Sequence, residues 1–397
     1  MKTYFTIFTF LLIVLFSPRT NAQSWEELKS LTSPNAIPAM AAVGDKIYLV
    51  SGNQGNATNT WEFNPATNEW TKKASLPQGG VFATAVAFDG KIYVMGGGQN
   101  NAKKDYHYIY NPSEDKWTEG AKLLTPRMYH SAAAVNGKIY IIGGQNGDGT
   151  TEWFFDEYSP NSNSWTRKAQ SPHKDAWYSA AAGVGNKFYR IAGGRYNVPT
   201  DYFDIYDTET GTWQVHENFT VGLHSPAAVN YKGKIVIMGG YTNLGKTAMI
   251  TMYDPVTDNS SVSSVYLPEA MAYHRAAVIG DYIYVYSSTE DTPPTGRLWR
   301  INLSTLSALE QSGDTEQSLV FYPNPTSGKF KISLNEFGSL PVDITIINII
   351  GEQVFSCKNY LNDDGTLPLS LEGAAQGIYF IHVNCNGKSY CRSVVVY

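Results

Sequence analysis

The chain has 397 residues, 43% hydrophobic, 13% aromatic and only 16% charged, with 35 acidic against 30 basic side chains and a formal net charge of −5. It carries no basic cluster of the kind a phosphate backbone needs, which argues against nucleic acid as a partner. Its three cysteines all fall after residue 350, so the larger part of the chain must rest on a packed core, for which it is long enough.

In chain order, Lys2 precedes an apolar stretch from Tyr4 to Phe16, followed by Pro18 and the small-residue ending Thr20-Asn21-Ala22. This is the pattern of a secretory signal peptide over residues 1–22, cleaved after Ala22 to leave Gln23. The apolar run is shorter than the about 20 residues a spanning helix needs, so no transmembrane segment is expected in the mature chain.

From Ala39 to Leu303 one pattern recurs six times: a small apolar run, a turn, "KIY" or a variant, a glycine pair, a polar loop, and a Trp. The lysines Lys46, Lys91, Lys138, Lys187 and Lys234 stand 45, 47, 49 and 47 residues apart, and Trp70, Trp117, Trp165 and Trp213 stand 47, 48 and 48 apart. Strands repeating at this period predict propeller blades. Each unit reads as four short strands, for example 131–135, 138–143, 153–158 and 164–167, separated by Gly, Asn, Pro and Asp turns. The blade tryptophans, recurring with the structural period, are expected in the core.

The glycine pairs Gly96-Gly97, Gly143-Gly144, Gly193-Gly194 and Gly239-Gly240, each following an apolar strand and the first three preceding a Trp, resemble those of the kelch β-propeller family from about Trp25 to Leu303. Blade one departs with Ser51-Gly52, blade six with Ser287-Ser288, and blade five has Val262 near the Trp position. Stepping back from Trp70 lands on Trp25 in "SWEELKSL", which reads as an orphan outer strand completing the sixth unit; residues 306–310 are the competing candidate. The expected fold is all-β: a six-bladed kelch-type propeller over 23–303, closed by an N-terminal strand and leaving only short, protected strand edges.

A polar linker is read over 304–317, and a small antiparallel β-sandwich over 318–397. The blocks "FYPNPTSGKFKISL", "VDITIINIIGEQVF" and "GIYFIHVNCNGKSYCRSVVVY" resemble the C-terminal sorting domain of the type IX secretion system of Bacteroidota. That resemblance implies the secretion machinery as a partner through 318–397, and a chain released or attached to the cell surface. Pairing the last hairpin about Asn386-Gly387 sets Cys385 opposite Lys388 and His382 opposite Cys391, so Cys385 and Cys391 fall on opposite faces. A bridge from Cys357 to either remains open, as does a free thiol.

Function is expected at the mouth of the central channel, where loops entering each inner strand meet loops following each glycine pair. Aligning the inner strands places Pro38, Ala83, His130, Ser179, His224 and His274 at one position. The histidines read either as a metal or acid–base cluster or as residues bonding neighbouring loops, the second being favoured because repeat positions share a channel without converging. No metal and no cofactor is assigned, and "NGDGT" at 146–150 lacks the acidic spacing of a calcium loop. Galactose oxidase, a kelch-like enzyme, needs a cysteine in its copper site, and this propeller has none.

Trp177, Tyr178, Tyr196, Tyr241 and Tyr273 are candidates for a stacking platform, which with His130, His224 and His274 gives the ligand-binding set. Arg127, Arg195 and Arg275 with Glu152 are weak catalytic candidates, since a planar fork suits a sugar acid. Sialic-acid mutarotases are kelch propellers with such groups at the mouth, so a mutarotase or epimerase stands as the alternative. The favoured reading is a secreted or surface-attached binding module for a glycan or protein.

Overall fold

The computed structural model describes residues 25–31, 37–52, 58–99, 102–145, 154–174, 177–194, 198–216, 222–243, 245–263, 265–288, 296–303, 319–322, 326–334, 341–348, 352–362, 365–385 and 388–396. The signal-peptide and linker readings, the competing strand at 306–310 and the Asn386-Gly387 turn lie outside them.

Ser131–Val135 and Lys138–Ile142 show how the repeat folds. Asn136 and Gly137, at φ 47° and 75°, form a tight turn that returns the chain antiparallel, Val135 pairing with Lys138. Phe155–Ser159 and Ser164–Arg167 then add to give a four-stranded sheet. Five further sheets have the same make-up, their innermost strands being Ala39–Val43, Thr84–Phe88, Ala180–Val184, Ala227–Tyr231 and Arg275–Ile279. No α-helix occurs among the described residues.

The second strand of each sheet is apolar along its length because it is covered on both faces. Ile139 and Ile141 pack with Val86, Tyr93 and Met95 of the second sheet, while Tyr140 and Ile142 pack with Phe188 and Tyr206 of the fourth. Burying each such side chain is worth about 1.5–3 kcal/mol. The innermost strands contact one another in the cyclic order 39–43, 84–88, 131–135, 180–184, 227–231, 275–279 and back to 39–43.

Glu26–Leu31 pairs antiparallel with Gly296–Asn302 as the outermost strand of the sixth sheet, Glu27 facing Trp299. The blade tryptophans bond between sheets as well as packing: the indole N–H of Trp70 donates to Lys29 O (2.7 Å), Trp117 to Ala74 O (2.9 Å), Trp165 to Ala121 O (2.8 Å) and Trp213 to Ala169 O (2.9 Å). Trp25 does likewise to Tyr266 O at 2.6 Å. Of the four periodic tryptophans only Trp165 is buried; the others, expected in the core, are half-buried at the neighbouring sheet's edge.

The glycine pairs are needed for backbone shape and for close approach. Gly96 and Gly239 sit at φ 60° and 56°. A Cβ on Gly96 would meet Arg127 O at 2.6 Å and His130 Cε1 at 2.7 Å; on Gly239 it would meet Met271 O at 2.6 Å and His274 Cε1 at 2.7 Å. Gly96→Ala or Gly239→Ala is therefore expected to cost about 1–3 kcal/mol through overpacking, measurable by urea denaturation. Adding His130→Ala to Gly96→Ala should recover only part of that loss, because the Arg127 carbonyl still obstructs.

Residues 319–396 form two further sheets, Leu319–Tyr322, Lys329–Leu334 and Thr366–Ser370 against Gln353–Tyr360, Pro341–Asn348, Gly377–Cys385 and Lys388–Val396, enclosing one core. The last hairpin has the expected register, Cys385 opposite Lys388 and His382 opposite Cys391. Cys357 and Cys385 are free thiols. Ile347 and Phe380 join a core cluster of the fourth and fifth sheets, and Tyr266 Oη lies 2.6 Å from His382 Nε2.

Candidate functional site

Each innermost strand is preceded by a residue in the left-handed region: Ile37 (φ 51°), Phe82 (58°), Tyr129 (64°), Tyr178 (52°), Ser225 (57°) and Tyr273 (58°). That conformation costs a non-glycine residue about 1–2 kcal/mol, and it turns these side chains across the channel. Four are aromatic and their rings meet, with centroids 4.4 Å apart for Phe82–Tyr129, 4.3 Å for Tyr129–Tyr178, 5.8 Å for Phe82–Tyr178 and 5.1 Å for Tyr178–Tyr273. All four are half-buried. Burial, and then the hydrogen bond with Tyr129, push the Tyr178 phenol well above its usual pKa. The ring cluster extends through His224, 4.6 Å from Tyr178, to Tyr241, 5.8 Å from Tyr273.

The loops that enter the inner strands and those that follow the glycine pairs share this face. Backbone bridges join Val81 to Gly98, Met128 to Gln145, Thr200 to Leu223 and His224 to Tyr241. Val198, 59% exposed, stands among them.

The ligand candidates divide on this geometry. Tyr178, Tyr241 and Tyr273 are at the mouth. Trp177 is buried at 6% exposure behind Tyr129 and offers no open platform. His130 and His274 are buried wedges: each fills the notch above a glycine of the preceding sheet, leaning on the Met95 and Met238 carbonyls without closing a well-formed hydrogen bond. The residues that enter the second, fourth and fifth inner strands at the same place are Ala83, Ser179 and Pro226, and they stand against Gly97, Gly193 and Gly240 of their own sheets.

His224 does not occupy that position. The fifth inner strand starts at Ala227 and Ser225 takes the left-handed turn, so Pro226 is the true equivalent and the sequence alignment was two residues out. His224 is nonetheless buried among the mouth aromatics, its Nδ1 3.0 Å from Ser225 Oγ. Among the described residues no three of His, Cys, Asp or Glu converge as a metal ion requires.

Of the catalytic candidates, Glu152 and Arg195 lie outside the described residues, as does Tyr196 of the aromatic set. Arg127 is fully buried: its Nη2 donates to Asp156 Oδ2 at 2.6 Å, and its Nε and Nη1 reach the carbonyls of Thr125, Gly143 and Phe154. Asp156 was invisible to sequence reasoning, although its equivalent Asp204, paired with Arg190 at 2.8 Å, repeats the device one sheet on. Arg275 lines the channel beneath the rings, bonded among the described residues to the carbonyls of Pro38, Tyr273 and His274. The channel there is a cavity of about 160 Å³ walled mostly by alanine, serine and threonine.

Repeated four-stranded antiparallel sheets with loops gathered over a central cavity define a β-propeller-like protein. Residues 37–220 match the KLHDC2/KLHL20/DRC7 Kelch-repeats domain and residues 320–397 match the secretion system C-terminal sorting domain, so the chain contains a kelch-repeat domain and a type IX sorting domain. Such a domain marks a chain for secretion or cell-surface attachment. Among solved structures, that of YjhT is similar, with a TM-score of 0.60 at 17% identity over 68% of this chain and 95% of that one; the likeness is one of fold. No curated protein matches. No helix among the described residues is long and apolar enough to cross a membrane.

Proposed function

We propose that the six sheets are the blades of a closed propeller, sealed by Glu26–Leu31, and that the chain acts outside the cell or on its surface as a binding module for a glycan or a protein. In this reading residues 1–22 are removed as a signal peptide, 23–303 form the propeller, 304–317 the linker and 318–397 the sorting domain. The observation that carries the ligand site is the cluster of Phe82, Tyr129, Tyr178 and Tyr273 at the mouth, each in a conformation glycine would adopt more cheaply. Rigid, amphipathic rings half open to solvent suit stacking on a sugar face or anchoring a protein loop.

A sugar-acid mutarotase would need exposed arginines and a carboxylate at the mouth. Arg127 is tied to Asp156, Arg275 lies under the rings, and no carboxylate lines the cavity among the described residues, all of which weigh against that reading. The test is capture by the full chain on a glycan array that includes sialylated sugars, with a pull-down from cell-surface extract in parallel. Binding that falls at least tenfold in Tyr241→Ala or Tyr273→Ala, about 1.4 kcal/mol, is the expected result. Capture unchanged by both substitutions would remove the mouth as the site.

A further inference from the structure

The first position of the innermost strand holds Ala39, Thr84, Ser131, Ala180 and Ala227 in five sheets and Arg275 in the sixth. One guanidinium therefore enters a channel whose other walls are small. Its Nε donates to Pro38 O at 3.0 Å and its Nη1 to Tyr273 O and His274 O at 3.1 Å. These bonds fix the planar fork on the cavity wall, and among the described residues none of them uses Nη2. The other five arginines with described side chains each meet a carboxylate: Arg127 and Arg167 share Asp156, Arg190 pairs with Asp204, Arg297 with Glu27 and Arg300 with Glu26. Arg275 has no carboxylate partner among the described residues.

Burial brings the Arg275 pKa down to about 10, which leaves it cationic at neutral pH. Arg275 is half-buried against the channel wall, and a charge even partly withdrawn from water without a counterion carries a cost. The same cavity presents Ser131 and Ser179, whose hydroxyl oxygens are 2.8 Å apart. One donates to the other, so one hydroxyl proton remains for an acceptor. Aromatic rings also turn positive edges toward anions. With centroids 4.3 to 5.8 Å apart, the three Phe82, Tyr129 and Tyr178 rings leave no gap between them for a sugar ring.

We propose that the channel beneath the rings holds a small inorganic anion of the halide class as the counterion of Arg275. This site is distinct from the mouth surface and stands whether or not that surface binds a glycan or protein.

The test is thermal unfolding of the full chain in sodium bromide against sodium gluconate at equal ionic strength, gluconate serving as the bulky polyhydroxylated comparison anion. Wild type should gain Tm in bromide by a constant step per tenfold concentration above the binding constant. Arg275→Met, which removes the charge with little loss of volume, should show no such gain. Equal melting of wild type in both salts, or the same bromide gain in Arg275→Met, overturns the proposal. A gain with acetate and none with bromide also overturns it, in favour of a carboxylate. If Arg275→Met does not fold, anomalous diffraction from bromide-soaked wild-type crystals decides: a peak within hydrogen-bonding distance of the Arg275 guanidinium supports the site, and its absence sinks it.

Discussion

Lowering the pH from 7 to 5 is expected to remove most of the stability of the kelch domain. Burial holds His107 at a pKa of about 4 and His130 and His274 at about 3, against about 6.5 in an unfolded chain. Because the folded pKa values are depressed, the unfolded chain binds protons that the folded chain refuses. The stabilising contribution of these neutral imidazoles is complete above pH 6.5 and is lost as the pH falls toward 4 and 3. At pH 5 each costs about 2 kcal/mol, so the three together remove about 6 kcal/mol, comparable with the whole stability of a typical domain. His224, also lowered to about 4 by burial, acts in the same direction. Urea denaturation at pH 7, 6 and 5 should give unfolding free energies that fall with a slope approaching three to four protons. A slope near zero between pH 6 and 5 would show that the imidazoles are not buried as described.

Asp156→Ala is expected to destabilise the protein by about 3–5 kcal/mol, the usual cost of leaving one partner of a buried ion pair alone. The Asp156 carboxylate is fully buried and takes Arg127 Nη2 on one oxygen and Arg167 Nε on the other, each at 2.6 Å. Arg167 also lies over the Phe154 ring, 3.6 Å from its centre. With the carboxylate gone, Arg127 remains buried, its guanidinium left with the carbonyls of Thr125, Gly143 and Phe154 among its described partners. Combining Asp156→Leu with Arg127→Met, which removes both charges and keeps apolar volume, should recover much of the loss. Urea midpoints for the single and double variants check this, and a loss below about 1 kcal/mol for Asp156→Ala would mean that the pair is solvated. For function, Arg127→Ala cannot serve as a probe of ligand binding, since any loss would report a damaged third sheet.

The repeat was readable because its determinants are local. Asn136-Gly137 and the lysines opening each second strand mark hairpins within one unit, and Trp25 could be matched to Trp70 by spacing alone. What the sequence could not supply lies between units. The reason for histidine at His130 and His274 is the glycine of the preceding sheet, and the reason for Arg127 is an aspartate 29 residues on in sequence. Counting toward the fifth inner strand misassigned His224, because a two-residue slip leaves no trace in an apolar pattern as plain as Pro-Ala-Ala-Val. The aromatic mouth was half visible: Tyr178 and Tyr273 were singled out, but Phe82 and Tyr129 emerge as their partners only once the left-handed turns bring the rings together.

The most direct measurement is the affinity of one captured ligand for three folded variants side by side: wild type, Tyr273→Ala at the mouth, and Val256→Ser. Val256 is 91% exposed in the turn between Ile250–Asp254 and Asn259–Val262, at the opposite end of the sheets from the mouth loops. Loss confined to Tyr273→Ala is the result this account predicts. Loss with Val256→Ser and none with Tyr273→Ala would place the ligand on the other face and contradict it.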